Sequence, residues 1–253
     1  MSILEQFILE DKRAIVTGGA GGIGQATALV LAEAGAKVAI IDIKDASDTV
    51  DQIRAAGGQA NYIQADLANE KEVDGAIVKA RDELGRIDIL HNNAGFAHSI
   101  PCEQMTYEQW RKVVSIDLDG CFLVARAVGR VMIADQIGGT IVNTASMSGI
   151  VVNYPQEQVA YNSAKAGVIQ MTKSLACEWA KHNIRVNCVS PGYVATGMTN
   201  VEPELKEIWL QRLPIKRLAR CEEIAAGVLY LVSHAAAYIT GTNLVIDGGY
   251  SCH

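Results

Sequence analysis

The chain has 253 residues, of which 49% are hydrophobic and 20% charged, and its formal net charge is −6. This length allows one large domain or two small ones with a substantial core. The acidic balance disfavours nucleic acid and anionic membranes as partners, and no apolar run approaches the ~20 residues of a membrane helix. The N-terminal segment has no basic region, so we expect a cytoplasmic protein without a signal peptide.

The six cysteines form neither a CxxC pair nor a cluster with histidine. This spacing disfavours a zinc site, and no metal is predicted. We expect reduced thiols that are mostly buried and inert.

Short apolar runs alternate with helix-like segments along the whole chain. The predicted strands are 13–17, 37–42, 60–66, 87–91, 140–145, 185–189 and 243–247. The predicted helices are 23–34, 46–56, 70–84, 106–137, 159–181 and 222–233. Apolar strands that alternate with helices predict a parallel sheet covered on both faces. We therefore expect one doubly wound α/β domain over 1–253, with the irregular stretch 191–214 as a lid over a ligand.

A glycine-rich turn joins the first predicted strand to the first helix. Glycines let the backbone approach a pyrophosphate, and a helix N-terminus supplies free N–H groups and a positive dipole end. The strand before the turn and the helix after it make this pattern specific. The residues predicted to bind a dinucleotide here are Gly18, Ala20, Gly21, Gly22, Ile23 and Gly24.

Two aspartates end the second and third predicted strands. At Asp42 a carboxylate can accept hydrogen bonds from the adenosine ribose and repel a 2′-phosphate, which favours NAD over NADP, although Lys44 could soften this preference. Asp66 could meet the adenine or cap the next helix. Ile43 and Leu67, which follow the two aspartates, complete the predicted adenosine site.

Tyr161 and Lys165 are four residues apart, which places a phenol and an ammonium on one face of a helix. A free phenol has a pKa of about 10, and a neighbouring cation lowers that pKa by stabilising the phenolate. The pair therefore suits proton transfer, although a solvated helix stripe has the same spacing.

Several further motifs follow in one order: 92–95 (Asn-Asn-Ala-Gly), Ser146, 191–192 (Pro-Gly) with Thr196, and 247–249 (Asp-Gly-Gly). With the glycine turn and the Tyr–Lys pair, they resemble the short-chain dehydrogenase/reductase family over nearly the whole chain. The resemblance implies a Rossmann domain with a seven-stranded parallel sheet, NAD(P)-dependent alcohol oxidation or ketone reduction, and a homotetramer or dimer. It also implies that the cofactor is contacted by Asn93, Ala94, Gly95, Tyr161, Lys165, Pro191, Gly192, Val194 and Thr196.

The same resemblance implies the catalytic roles. Tyr161 would exchange the hydroxyl proton, and Lys165 would lower the pKa of Tyr161 and hold the nicotinamide ribose. Ser146 would hydrogen-bond the substrate oxygen. Ser148 has the commoner spacing to Tyr161, but Ser146 fits the end of the fifth strand, so Ser148 is assigned to the substrate pocket. Hydride passes directly to or from the nicotinamide, so the chemistry needs no metal.

Asp117 stands where the family usually has an asparagine that fixes a water in a proton relay to the lysine. A carboxylate can also accept a hydrogen bond from water, so a modest effect is the preferred interpretation. The alternative is a shifted pH optimum or weakened activity, because a carboxylate near Lys165 raises the pKa of that lysine.

The segment 146–156 resembles the polyol and ketose branch of the family, which includes galactitol dehydrogenase, mannitol dehydrogenase and sorbose reductase. Asn153 and Gln156 would offer amide groups to a polyhydroxylated substrate, with ordinary loop hydrogen bonding as an equal alternative. Trp209 would line the pocket or pack in the core. The leading hypothesis is an NAD-linked polyol dehydrogenase. A 3-oxoacyl-carrier reductase and a weakly catalytic nucleotide-binding sensor are the alternatives.

Overall fold

Seven parallel strands form one sheet in the computed structural model, which describes residues 2–199 and 201–252. The strands are Arg13–Thr17 (β1), Lys37–Asp42 (β2), Gln59–Gln64 (β3), Ile89–Asn92 (β4), Gly139–Thr144 (β5), Ile184–Pro191 (β6) and Asn243–Ile246 (β7). Their spatial order is β3-β2-β1-β4-β5-β6-β7. The predicted doubly wound Rossmann sheet is confirmed, since the order reverses between β1 and β4.

The α-helices connect these strands and cover both faces of the sheet. In the described residues they are Gly22–Glu33 (α1), Ser47–Ala55 (α2), Glu70–Leu84 (α3), Tyr107–Val114 (α4), Cys121–Asp135 (α5), Val159–Trp179 (α6), Pro203–Arg212 (α7) and Cys221–Val232 (α8). None of those in the described part of the chain is long and apolar enough to cross a membrane. No group of three or more potential metal-ligating side chains occurs among the described residues.

Two apolar cores lie on opposite faces of the sheet because successive strand residues point to opposite sides. Ile41 packs in the core that α3, α5 and α6 cover, whereas its neighbour Ile40 packs in the core beneath α1, α2 and α8. Both side chains are fully buried. Burial on both faces explains why the strand sequences are apolar throughout.

The predicted helical stretch over 106–137 is helical from Tyr107 to Asp135, but it changes its helix type at its centre. Thr106 starts α4 with a reciprocal cap, and α4 ends at Val114. A π-helical segment, Ser115–Gly120, then precedes α5. The end of this segment packs closely against the turn before α3, because a Cβ on Gly120 would lie 2.9 Å from the carbonyl oxygen of Leu67. The π segment carries Asp117, which is fully buried.

The segment 191–214, expected to be irregular, contains a regular helix. After the turn Gly197–Thr199, α7 begins with a proline in its first turn, a position where proline needs no N–H partner. The indole of Trp209 stacks on Tyr193, with ring centroids 4.1 Å apart. Trp209 is 3% exposed and packs in a cluster with Met147, so core packing holds for this residue. Asn200, within the expected lid, lies outside the described residues.

Candidate active site

The residues that follow the strands meet at the carboxyl edge of the sheet, because parallel strands all end there. Thr17, the last residue of β1, joins two of the motifs. Its hydroxyl oxygen accepts hydrogen bonds from the main-chain N–H groups of Asn93, at 2.9 Å, and Ala94, at 3.1 Å. The Asn93 side chain donates to the Thr17 carbonyl at 3.2 Å. Sequence reasoning missed this role of Thr17, whose only signal was its place before the glycine turn.

The glycine turn packs too closely for side chains at two positions. Gly18 has a φ of +68°, and a Cβ there would lie 2.9 Å from the Cα of Ala94. A Cβ on Gly24 would overlap the carbonyl oxygen of Gly18. In contrast, a Cβ at Gly21 would meet no described atom within 4 Å. The backbone is therefore open at Gly21, where a pyrophosphate would approach.

The N-terminus of α1 fits a bound anion. No described side chain caps it, and its first turn contains no acidic residue. The N-terminus of α3, by comparison, is capped by Asn69, whose side chain accepts from the N–H of Lys71 at 3.1 Å. The free N–H groups and the dipole of α1 remain available to a pyrophosphate.

Asp42 ends β2 beside the glycine turn. One of its carboxylate oxygens accepts from the N–H of Ala20 at 3.0 Å, and the other accepts from the N–H of Lys44 at 2.9 Å. Lys44 therefore contacts the Asp42 carboxylate through its main-chain N–H. The half-buried carboxylate can still accept hydrogen bonds from a ribose, since each oxygen has two lone pairs. Ile43, 57% exposed, lies next to it.

The other predicted adenosine residues follow β3. The Asp66 carboxylate accepts from the N–H of Ala68 at 2.9 Å in the turn before α3. Because Asn69 caps this helix, the interpretation of Asp66 as its cap is wrong. The side chain of Leu67 is buried in the core that α3 and α5 cover.

The start of the expected lid contacts the glycine turn. The methyl group of Thr196 lies close to Gly22, where an added Cβ would be 3.3 Å away from it. Pro191 ends β6, and the N–H of Gly192 donates to the β7 carbonyl of Ile246 at 2.9 Å. Val194 is buried. These four predicted cofactor residues, Pro191, Gly192, Val194 and Thr196, follow one another along a single segment beside α1.

Ser146, Tyr161 and Lys165 come together from two elements. Ser146 follows β5 and is buried, and its hydroxyl is near enough to the Tyr161 phenol to lower the pKa of that phenol slightly. The ammonium of Lys165 lies 5.6 Å from the centre of the Tyr161 ring. It also donates to the carbonyl oxygen of Thr144, the last residue of β5, at 3.0 Å. The side chains needed for proton transfer are therefore adjacent, with Ser146 and Lys165 buried and Tyr161 partly exposed.

A buried ion pair links Asp117 to Lys165. The distance between Asp117 Oδ1 and Lys165 Nζ is 3.1 Å, and Asp117 Oδ2 accepts from the N–H of Phe96 at 3.2 Å. Burial raises the pKa of Asp117. The neighbouring Lys165 lowers this pKa, but by less than burial raises it. Burial alone would lower the pKa of Lys165, but Asp117, and then Tyr161, hold it above its ordinary value. At neutral pH we assign the pair as carboxylate and ammonium.

The phenol of Tyr161 has a pKa above its ordinary value, and burial is the largest cause. Lys165 lowers this pKa, as expected, but does not offset the burial, and Asp117 raises it further. In the protein without ligands Tyr161 is therefore a neutral phenol at pH 7.

A chain of hydrogen-bonded polar side chains, all buried except the partly exposed Gln156, extends from Ser148 to Tyr193. The side-chain amide of Gln158 donates to the Ser148 hydroxyl at 3.2 Å and to the Asn153 carbonyl at 2.8 Å. The Asn153 amide reaches the Tyr193 hydroxyl at 3.5 Å, and that hydroxyl donates to Gln156 at 2.9 Å. Sequence reasoning named Ser148, Asn153 and Gln156 but missed Gln158 and Tyr193. These two residues contact the others only because the loop before α6 folds against Tyr193.

His91 supports the site from within β4. Its Nε2 lies 3.0 Å from the Thr144 hydroxyl, which itself donates to the Asn93 side chain at 3.2 Å. Complete burial lowers the pKa of His91 to about 3, so the ring is neutral. Since the Thr144 hydrogen is already used, the histidine donates from Nε2. This contact orients Thr144, whose carbonyl holds the Lys165 ammonium.

Known proteins with similar sequences and structures agree with this architecture. The family model described as enoyl-(acyl carrier protein) reductase matches residues 18–251. The D-arabinitol 2-dehydrogenase (ribulose-forming) of Scheffersomyces stipitis is 38% identical, over 99% of this chain and 98% of that protein. The galactitol 2-dehydrogenase of Rhizobium johnstonii is 39% identical over the full length of both proteins.

A solved structure is also similar over its whole length. The crystal structure of a short-chain type dehydrogenase/reductase from Mycobacterium marinum is 40% identical, with a TM-score of 0.97 and complete coverage of both chains. The resemblance to the polyol branch that the sequence motifs indicated is thereby confirmed. The chain belongs to the short-chain dehydrogenase/reductase family and is an oxidoreductase.

Proposed function

We propose that this protein transfers a hydride between NAD and a secondary alcohol or ketone, with a polyol or ketose as its substrate. The observation that carries the proposal is the cluster of buried Ser146, partly exposed Tyr161 and buried Lys165 at the same edge of the sheet as the glycine turn. Such a cluster supplies proton exchange and oxygen binding at one point. The nicotinamide cofactor, when bound, supplies the hydride acceptor or donor.

The proposed roles follow from the contacts of each side chain. Tyr161 takes the hydroxyl proton in oxidation and returns it in reduction, while Ser146 holds the reacting oxygen. The Lys165 ammonium donates a hydrogen bond to the carbonyl of Thr144 and forms an ion pair with Asp117. An ammonium has three N–H donors, so Lys165 can also donate to a ribose hydroxyl of the cofactor.

The preference for NAD rests on Asp42. Its carboxylate contacts the same turn that would hold the pyrophosphate, so a 2′-phosphate there would meet a like charge. The remaining predicted cofactor residues lie along the same edge of the sheet, from Asp66 to Thr196. Their arrangement supports binding of one extended dinucleotide across the switch point between β1 and β4.

A polyhydroxylated substrate is supported by the buried polar chain next to Ser146. Ser148, Asn153, Gln156, Gln158 and Tyr193 offer hydroxyl and amide groups that both donate and accept. Similarity to arabinitol and galactitol dehydrogenases supports the same class. The family resemblance also supports a cytoplasmic homotetramer, which light scattering of the purified protein would test.

The test is a panel of initial rates with NAD⁺ and NADP⁺ against arabinitol, galactitol, sorbitol, mannitol, xylitol and simple diols. We expect NAD⁺-dependent turnover of at least one polyol. In the Tyr161→Phe variant, turnover should fall by about 10²–10⁴-fold while NAD binding persists, because only the proton-exchanging hydroxyl is removed. The matched control is Tyr107→Phe, a tyrosine that is 77% exposed.

Two other results would replace the proposal. NADP-dependent reduction of a 3-oxoacyl-carrier substrate without polyol turnover would favour the 3-oxoacyl-carrier reductase. Tight NAD binding with no turnover of any alcohol or ketone would favour the nucleotide-binding sensor.

A further inference from the structure

Asp117 lies next to the Lys165 ammonium, in a buried pair that we assign as carboxylate and ammonium at neutral pH. Both of its carboxylate oxygens are engaged: Oδ1 with Lys165 at 3.1 Å and Oδ2 with the N–H of Phe96 at 3.2 Å. The side chain of Asp117 is completely buried and that of Lys165 nearly so. Solvent therefore screens this pair far less than a surface pair.

Two features of the fold position the Asp117–Lys165 ion pair. The π segment Ser115–Gly120 turns Asp117 inward, and Gly95 leaves the space that the ion pair occupies. A Cβ on Gly95 would overlap Asp117 Oδ1 and lie 3.2 Å from Lys165 Nζ. Asparagine has the same shape as aspartate, so what distinguishes the carboxylate at this position is its charge.

Few charged groups face Tyr161. In the described structure those that influence its phenol are Lys165, from its own helix α6, and Asp117, from the π segment. Cys121, at the start of α5, lies close to Lys165 and Asp117. Burial raises the pKa of its thiol to about 12, so the thiol is neutral at pH 7. Ser146, at the end of β5, is uncharged. The local field at the phenol is thus set by one ammonium and one carboxylate.

We propose that Asp117 is a positioning residue that neutralises much of the field of Lys165 and thereby confines proton transfer at Tyr161 to more alkaline conditions. This inference rests on the proposed function, in which Tyr161 exchanges the proton. It differs from a purely structural role, which would change the amount of active enzyme but not the pH at which Tyr161 ionises.

The directions of the pKa shifts agree with the proposal. Lys165 lowers the pKa of Tyr161 and Asp117 raises it, with burial as the larger effect. Oxidation needs Tyr161 as a phenolate, so its rate falls as the pH drops below the pKa of the phenol. Removing the charge of Asp117 lowers that pKa and shifts the acidic limb of the pH profile to lower pH.

The test is Asp117→Asn, which removes the charge and keeps the shape. We expect the acidic limb of kcat/KM for alcohol oxidation to move down by about one pH unit. The matched control is Asp119→Asn, in the same π segment, where the carboxylate forms an exposed pair with Arg111 at 2.8 Å. The control removes the same charge and should leave the profile unchanged.

A second readout needs no turnover. The ultraviolet absorbance of the phenolate is titrated in each variant and in the same variant carrying Tyr161→Phe, and the difference isolates Tyr161. Asp117→Asn should shift this titration by the same amount and in the same direction. A shifted titration in a protein that oxidises no alcohol would contradict the proposed function and leave the role of Asp117 standing.

The inference is overturned if Asp117→Asn folds and both the titration and the pH limb stay where they are in the unmodified protein. If that variant does not fold, Asp117→Ser serves instead, because it removes the charge and leaves space for water. An unshifted Tyr161 titration in Asp117→Ser would equally overturn the inference.

Discussion

The glycine turn and the catalytic cluster lie at the same edge of the sheet but are built differently. The turn is formed by consecutive main-chain groups at the junction of β1 and α1, with Gly18 and Gly24 in van der Waals contact. The catalytic cluster is formed by side chains from separate elements, and Asp117 and Lys165 are 48 positions apart in the chain. One region depends on local backbone shape, whereas the other depends on how buried charges are compensated.

The largest expected effect comes from removing one charge of the buried ion pair in the catalytic cluster. Lys165→Met leaves the buried carboxylate of Asp117 without its cation and should lower the free energy of unfolding by about 3–5 kcal/mol. The double variant Lys165→Met/Asp117→Leu should recover much of this loss because neither charge remains. Urea unfolding measures both.

An exposed ion pair provides the reference for that experiment. Lys79 and Glu83 are 3.9 Å apart on the surface of α3, and Lys79→Met should cost no more than about 1 kcal/mol. If Lys165→Met proved as mild as Lys79→Met, the cluster would not depend on charge compensation.

The second effect concerns the shape of the glycine turn. Gly24→Ala adds a methyl group that overlaps the carbonyl of Gly18, so we expect a loss of about 1–3 kcal/mol in stability. Gly21→Ala, whose Cβ would meet no described atom within 4 Å, should leave the melting temperature unchanged. Equal losses in the two variants would show that the turn is not limited by close packing at Gly24.

The smallest effect concerns cofactor choice at the end of β2. Asp42→Ala removes the charge that opposes a 2′-phosphate and should raise the ratio of NADP to NAD affinity roughly tenfold, or ~1.4 kcal/mol. Calorimetric titration with both cofactors measures it. Asp45→Ala, which removes an exposed carboxylate paired with Ser47, is the control. An unchanged ratio in Asp42→Ala would mean that other groups select the cofactor.

The difference between the two regions explains which expectations held. The glycine turn, the place of Asp42 at the end of β2 and the seven parallel strands followed from short-range patterns. The long helical stretch over 106–137 was expected, but its change to a π-helical turn was not, because the π segment leaves no trace in the hydrophobic pattern. Trp209 was ambiguous in the sequence because its partner Tyr193 belongs to a different part of the segment 191–214.

The sheet, its connections and the nucleotide-type turn can be predicted from the chain alone, because they depend on hydrophobic periodicity and on glycines that lie within a few residues of one another. The folded arrangement adds contacts that the sequence does not reveal: Asp117 pairs with Lys165, Thr144 contacts both Lys165 and His91, and Gln158 and Tyr193 join the polar chain that begins at Ser148. Hydrogen bonds and ion pairs between distant elements depend on distances that folding alone creates. Their strength depends on burial, which no local pattern of residues records.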